Sequence, residues 1–319
     1  MIRKGEAVFL LILNFSLPAF AKINWALRVL YRREADGLHE IETIFQTVSL
    51  HDRLTFSAWT NDELQLTSDD PNIPVDDSNI ILKAANALRE KFGINRGAKI
   101  YLEKRIPSPG GMGGGSSDAA IALLGLVHLW QIETNKDELE TIGARLGADV
   151  PFFFTGGTAL GEGLGTDISP LQDTPKMELL IVTPDVRVAT SEAYKALNLP
   201  RLTKKSSESI LASSRWREAI ITGLIQEILC NDFEPVIFRL KPEIERVKKT
   251  LIALGAKSAL MSGSGASVFG IFDKKEAREL AINTLSRETS WRVFACSTLD
   301  SEEYLKALEP CSNLLRATK

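Results

Sequence analysis

Between residues 110 and 115 the chain reads Gly-Gly-Met-Gly-Gly-Gly, and no other feature restricts its fold so tightly. Glycine loses more backbone entropy on ordering than any other residue. Five in six positions therefore imply unusual dihedrals or a close approach of main chain to something else. Before this stretch, Lys99 to Lys104 alternates as a strand does; after it, Ala119 to about Trp130 is apolar on nearly every face, which predicts a buried helix. A flexible linker does not sit between a strand and a buried helix. Ser116 or Ser117 is placed to cap that helix, and Asp118 suits its first turn. Unpaired N–H groups and the helix dipole would then converge on one spot, which makes an anion site, and a triphosphate is its natural occupant. Three familiar phosphate loops are excluded. There is no GxxxxGK[ST], no clean GxGxxG with HRD and DFG downstream, and no acidic residue placed for a dinucleotide ribose.

The rest of the composition sets the class. The chain has 319 residues, 44% hydrophobic and 25% charged, enough for one large or two moderate domains with a core that needs no staple. A net charge of −3 from interspersed acids and bases argues against a nucleic-acid partner, which a basic stripe would announce. Cys230, Cys296 and Cys311 form no CxxC pair, and no His stands at metal-ligand spacing from them. Neither a zinc site nor a disulfide framework is expected, so no protein-held metal is expected, and reduced thiols point to the cytoplasm. The N-terminus, Met1-Ile2-Arg3-Lys4 followed by the apolar run Ala7 to Leu13 and by Ala19-Phe20-Ala21, resembles a secretory signal with its cleavage site. A cut there would destroy the strand that holds Lys22 and Asn24. An N-terminal extension running into the first strand is the better reading, and the run is too short to span a bilayer, so no membrane partner is expected.

Strands are expected over 20–30 and within 41–59, with a turn at Arg32 to Gly37. Ile80 to Phe92 has helical spacing and Gly93 as a stop; Asp137 to Leu146 is a further helix ended by Gly147. Phe152 to Phe154 and Thr158 to Leu160 read as short strands around Gly156-Gly157. Periodicity lapses over 161–177, which places a domain boundary there and divides the chain into 1–168 and 169–319. Beyond it come a buried strand at Leu179 to Val182, a polar surface connection over 198–217, and a helix opened by Pro242 and closed by Gly255. A strand, the loop Ser262-Gly263-Ser264-Gly265, a strand at Val268 to Phe272, a helix from Lys274 and a strand at Arg292 to Cys296 follow. That β-α-β-β-α-β order fits a ferredoxin-like split unit, and the fold class is α+β.

The glycine loop, from Pro107 to Asp118, resembles the second motif of the GHMP kinases. Pro18 to Asn24 followed by Arg32-Arg33-x-x-Asp36-Gly37-Leu38-His39 is similar to the first, and Met261 to Ala266 to the third. Order and spacing agree across nearly the whole chain. The resemblance implies a two-domain fold with an N-terminal ribosomal-protein-S5-like domain and a C-terminal ferredoxin-like domain. It also implies ATP and Mg²⁺ as cofactors, and a monomer or weak dimer. Within the family, Ala-Lys-Ile-Asn with a later Asp-Gly-x-His, Leu146 to Phe152, and Val188 to Tyr194 resemble the branch that phosphorylates a small molecule, a cytidine-diphosphate-linked methylerythritol, at its 2-hydroxyl on the non-mevalonate route to isoprenoids.

The resemblance gives each residue a role beside a plainer one. Asp149 would accept the hydroxyl proton, or it caps a turn. Lys22 would pair with Asp149, lower the hydroxyl pKa and steady charge on the transferring group, or it snorkels. Asn24, on the same strand face, would bond the reacting diol. His39 would bond cytosine and Tyr194 stack on it, while Thr190 would contact substrate or cap a helix. Pro107, Ser108, Pro109, Gly110, Gly111, Met112, Gly113, Gly114, Gly115, Ser116 and Ser117 would form the ATP loop, and Lys104 would reach the nucleotide. Two residues depart from the family pattern: Leu38 replaces a usual Tyr, removing one aromatic face from the base site, and Pro109 replaces a frequent Gly. A sister kinase for homoserine or mevalonate is the alternative within the family, and an idle nucleotide- or RNA-binding module outside it. Retention of Lys22 and Asp149 disfavours idleness, and the acidic balance disfavours RNA.

Overall fold

The computed structural model describes residues 14–198, 201–202, 216, 218–219, 222 and 225–316. The apolar run from Ala7 to Leu13 and most of the polar connection expected over 198–217 lie outside them. The chain opens with a long antiparallel ribbon, β1 (Asn14–Arg33) against β2 (His39–Ala58). β1 outruns its expected 20–30 at both ends, where burial is mixed and the apolar pattern weakens, whereas β2 keeps close to the expected 41–59. Next come β3 (Leu64–Ser68), α1 (Ile80–Phe92) and β4 (Ala98–Glu103). α1 has the ends its sequence announces: Asn79 Oδ1 accepts the Ile81 N–H at 2.8 Å, and Gly93 takes φ 61°.

α2 (Gly114–Trp130) has 14 of its 17 residues buried. It lies so close to the sheet that a Cβ on Gly125 would fall 2.4 Å from the Phe56 ring. α3 (Lys136–Leu146) follows, capped by Asn135. Phe152 to Phe154 are not a strand: Pro151–Phe154 form a 3₁₀ turn, with Phe153 N–H bonded to Val150 C=O at 3.1 Å. Proline at its first position fixes a helical φ, which overrides the β preference of three phenylalanines. β5 (Thr158–Glu162) and β6 (Asp167–Pro170) form a hairpin partly inside the stretch where periodicity lapses.

The second half contributes β7 (Glu178–Pro184), α4 (Thr190–Leu197), β8 (Arg201–Leu202), β9 (Cys230–Asn231), α5 (Glu234–Leu240), α6 (Pro242–Ala253), β10 (Ser258–Met261), β11 (Val268–Phe272), α7 (Lys275–Leu285), β12 (Trp291–Ser297) and α8 (Ser301–Ala307). The first sheet runs β3-β4-β2-β1-β8, with β5 and β6 added on β2 and β9 on β1; the second is antiparallel, in the order β10-β11-β7-β12. With α6 and α7 between its strands, the second sheet has the split β-α-β-β-α-β order expected. The C-terminal segment returns to the first half: Tyr304, Leu308, Cys311 and Leu315 belong to the core built by α2, and the Tyr304 hydroxyl donates to the Phe153 carbonyl. The three cysteines are free thiols, and burial pushes those of Cys296 and Cys311 up to about 12. Among the described residues no helix is long and apolar enough to cross a membrane.

Candidate active site

β1 carries two polar residues on one face, Lys22 and Asn24, in a stretch otherwise packed with apolar side chains. A register shift between Asn24 and Ala26 sits beside them, the kind of irregularity that re-aims side chains next to a site. Lys22 Nζ stands 3.2 Å from Asp149 Oδ2, with the lysine side chain 4% and the aspartate 31% exposed. Asp149 is held in the tight turn between Gly147 and Pro151. Lys22 also lies over the Phe45 ring, and its backbone N–H donates to Met112 C=O at 3.0 Å. That last bond stitches the strand to the glycine loop.

The loop and the pair line one cleft of about 350 Å³, which takes in the whole run Pro107 to Ser116 together with Lys22, Asn24, Asp149, Thr190 and Tyr194. Gly111 and Gly113 adopt φ 72° and 67°, the left-handed region that disfavours a side chain. The helix begins earlier than expected, at Gly114, with Gly113 at its N-cap and no side-chain cap. Ser116 and Ser117 therefore lie inside its first turn and cap nothing. The close approach of Gly114 to Ile106 and Lys104, where a Cβ would meet atoms at 3.0 and 3.1 Å, is what lets the turn start there. Ser116 faces the cleft, whereas the Ser117 hydroxyl is buried without a partner. The uncapped helix start directs N–H groups and dipole at the cleft, as an anion site requires.

Asn24 is more committed than a diol-binding residue need be. Its Oδ1 accepts from Lys22 Nζ at 2.9 Å and from the Gly263 N–H at 3.0 Å, and its Nδ2 donates to Thr43 Oγ1 at 2.7 Å. One amide N–H remains for a substrate. Thr43 and Ser264 are not marked by the sequence as site residues; Gly263 stands where it could back the phosphate loop or simply form a tight turn. A threonine on a strand carries no sequence signal; Ser264 stood in a loop already marked by its glycines.

Lys104 is not brought to the cleft. Its ammonium meets Asp118 Oδ2 at 2.8 Å and pairs with Asp52, all three side chains being 5% exposed or less. Asp52 also takes the backbone N–H groups of Arg105 and Ile106. The triad thus ties an interior residue of β2 and the end of β4 to the second turn of α2, beneath the glycine loop, so Asp118 does not occupy the first turn expected for it. The two carboxylates hold the Lys104 ammonium charged against its burial, and burial pushes Asp118 up to about 7 although Lys104 opposes the shift. A carboxyl raised in the folded state stabilises below its ordinary range and loses that contribution as pH rises through about 7. Thermal midpoints should therefore fall from about pH 4 to about pH 7 and level off above, and Asp118→Asn should flatten that slope. A variant with an unchanged slope would show that Asp118 does not carry the proton.

The expected base-binding residues meet each other. His39 and Tyr194 stack at 4.7 Å with 27° between their rings, and Tyr194 sets its edge on Phe233 at 4.9 Å. Tyr194 lines the cleft, whereas His39 is not among the lining residues and meets it only through the Tyr194 ring. Burial, with a lesser contribution from the Asp149 charge, raises the Tyr194 hydroxyl to about 12; burial and nearby Arg32 lower His39, which keeps its imidazole neutral. Thr190 opens α4 but caps nothing; its hydroxyl lies 3.2 Å from Ser264 Oγ across the cleft. Leu38 is 49% exposed.

The family of GHMP kinases N terminal domains matches residues 79–157, and that of GHMP kinases C terminal matches 217–289. A 4-diphosphocytidyl-2-C-methyl-D-erythritol kinase of Caldicellulosiruptor bescii is 42% identical over 262 residues, spanning 81% of this chain and 90% of that one. The chain belongs to the GHMP kinase family. A kinase of the same name from Clostridioides difficile is 40% identical over 82% of this GHMP kinase and 87% of its own length. Among solved structures, a 4-(cytidine 5'-diphospho)-2C-methyl-D-erythritol kinase superposes with a TM-score of 0.72 at 34% identity, covering 89% of this chain and 99% of that one. The homoserine kinase of Cytophaga hutchinsonii, at 19% identity and a TM-score of 0.65 over 91% of this chain and 96% of its own, shares the fold. A GHMP kinase uses ATP, and the cleft beside the glycine loop has the anion-binding character that ATP demands.

Proposed function

We propose that this GHMP kinase transfers the γ-phosphoryl group of ATP to the 2-hydroxyl of 4-diphosphocytidyl-2-C-methyl-D-erythritol, a step of the non-mevalonate route to isoprenoid precursors. The observation that carries the reading is the pair of a buried Lys22 and a half-buried Asp149 facing the glycine loop across one cleft, joined to an aromatic floor at Tyr194 suited to a pyrimidine. The names and identities of the relatives support the choice of acceptor. In the reaction the acceptor oxygen bonds to the γ-phosphorus, the bond from that phosphorus to the β–γ bridging oxygen breaks, and ADP leaves. Asp149 takes the hydroxyl proton. Lys22, desolvated and oriented by Asn24, stabilises charge on the transferring group. The remaining N–H of Asn24 orients the diol. Tyr194 and His39 form the base-recognition pair, with Thr190 at its edge.

The cleft fits Mg²⁺ of the kind carried by phosphates. Ser116 offers it one oxygen donor, and among the described residues no cluster of three or more His, Cys, Asp or Glu could cage a metal alone. When bound, the ion would neutralise charge on the β- and γ-phosphates. The reading also divides the chain into an N-terminal part, 1–168, that holds the ATP loop, Lys22 and Asp149, and a C-terminal part, 169–319; that boundary falls inside β6, and the change of sheet comes a few residues later, between Pro170 and Glu178. It carries a cytoplasmic location, a monomer or weak dimer, and no nucleic-acid partner, in keeping with free cysteines and a net charge of −3.

Purified protein with ATP, Mg²⁺ and 4-diphosphocytidyl-2-C-methyl-D-erythritol should release ADP and phosphorylated acceptor in equal amounts. ADP release with homoserine or mevalonate, and none with the cytidylyl compound, would transfer the assignment to a sister kinase.

A further inference from the structure

β9 is two residues long, yet it closes a ring of contacts that passes through the cleft. Cys230 and Asn231 pair in parallel with Ala26 and Leu27 of β1. The next residue is clipped there too: Asp232 N–H donates to Leu27 C=O at 3.0 Å, and its carboxylate accepts the Val29 N–H at 2.9 Å. Asn231 is 6% exposed. Its Nδ2 donates to the carbonyls of Met261 at 2.7 Å and Gly263 at 2.8 Å, and its Oδ1 accepts the Phe233 N–H at 2.9 Å. Glu234 supports the same stretch by accepting the Met261 N–H at 2.9 Å.

Gly263 is therefore gripped from both sides, its carbonyl by Asn231 and its N–H by Asn24 Oδ1 at 3.0 Å. That same oxygen receives the Lys22 ammonium at 2.9 Å. A Ser-Gly-Ser-Gly loop has almost no side chain with which to fix itself, and glycine backbone is costly to order. A buried amide with two donors supplies what the loop lacks. Asn231 also rides on the strand that bears Lys22 and Asn24, so the loop is held in register with them.

We propose that Asn231 is a positioning residue for phosphoryl transfer: by holding Gly263 it keeps the second donor on Asn24 Oδ1 and so fixes where Lys22 stands between Asn24 and Asp149. The inference rests on the reading of Lys22 and Asp149 as the pair at the reacting centre. Asn231→Ala should lower kcat by about tenfold to hundredfold, the penalty of a misplaced catalytic group, with KM for ATP changed by less than about threefold, since ATP-loop contacts are untouched. In an Asn24→Ala background the same substitution should cost nothing further, because the bond it protects is gone. Amide hydrogen exchange at Gly263, read without substrate, should accelerate at least about tenfold in Asn231→Ala. Additive losses in the two backgrounds, or unchanged exchange at Gly263, would overturn the proposal. Should Asn231→Ala fail to fold, Asn231→Ser, which keeps one donor, carries the same comparison. Absence of turnover in the unaltered enzyme would instead count against the acceptor, and the exchange measurement would still decide the role of Asn231.

Discussion

Asp149→Asn should bind ATP normally and turn over at least about 10³-fold more slowly. Positioned general bases contribute about 10²- to 10⁴-fold, and Asp149 has a second duty. It is the countercharge of a lysine whose side chain is 4% exposed. An amide of the same shape keeps the turn between Gly147 and Pro151 but accepts no proton, and it gives Lys22 at most a neutral oxygen in place of a countercharge. On the proposed reading ATP is held by the loop and the start of α2, which the substitution does not touch. Calorimetric ATP binding should thus stay within about threefold while single-turnover ADP formation collapses, the pattern of an interaction made only in the transition state. A kcat within about tenfold of the parent would mean that Asp149 is not the base.

Gly111→Ala should do the reverse and remove ATP binding. A Cβ at residue 111 would lie 2.1 Å from the Ser262 carbonyl oxygen and 3.0 Å from that of Gly265. Both are main chain, so no flexible side chain can yield. The residue also has φ 72°, which costs a residue with a Cβ about 1–2 kcal/mol by itself. The glycine loop and the Ser262 loop would have to part, breaking the bond from Ser262 Oγ to Gly111 C=O at 2.9 Å. ATP affinity should fall more than about tenfold and the thermal midpoint should drop by several degrees, since about 1 kcal/mol moves a chain of this size by about 2–4 °C. Gly115→Ala is the control for stability: it has only Ile80 Cγ2 nearby, at 3.9 Å, and should melt like the parent. A Gly111→Ala protein that binds ATP and melts normally would show that the loops adapt.

What could be read before the structure was what short-range chemistry dictates. Asn79 and Gly93 set the ends of α1, and Pro242 with Gly255 bounded α6. The glycine run announced an anion site because no packing argument explains it. Long-range pairings were not legible. Lys104 reads as a strand-end lysine near a nucleotide loop, and only folding brings Asp52, 52 residues earlier, to its ammonium. The start of α2 was misplaced because glycines argue against helix on propensity, whereas here the missing side chains are what admit Ile106 and Lys104. Asn231 lies in a segment with no motif at all, and its meaning comes from carbonyls 30 and 32 residues further on.

The return of the last helix to the first core has a consequence for synthesis on the ribosome. Gly156 lies so close beneath Tyr304 that a Cβ there would be 2.1 Å from its ring, and Leu308, Cys311 and Leu315 fill the same core as α2. The half that emerges first therefore cannot close over its own interior. Its apolar groove stays open to chaperones until residue 315 has cleared the exit tunnel, and a nascent chain stalled before Tyr304 should remain protease-sensitive in the segment that carries the glycine loop.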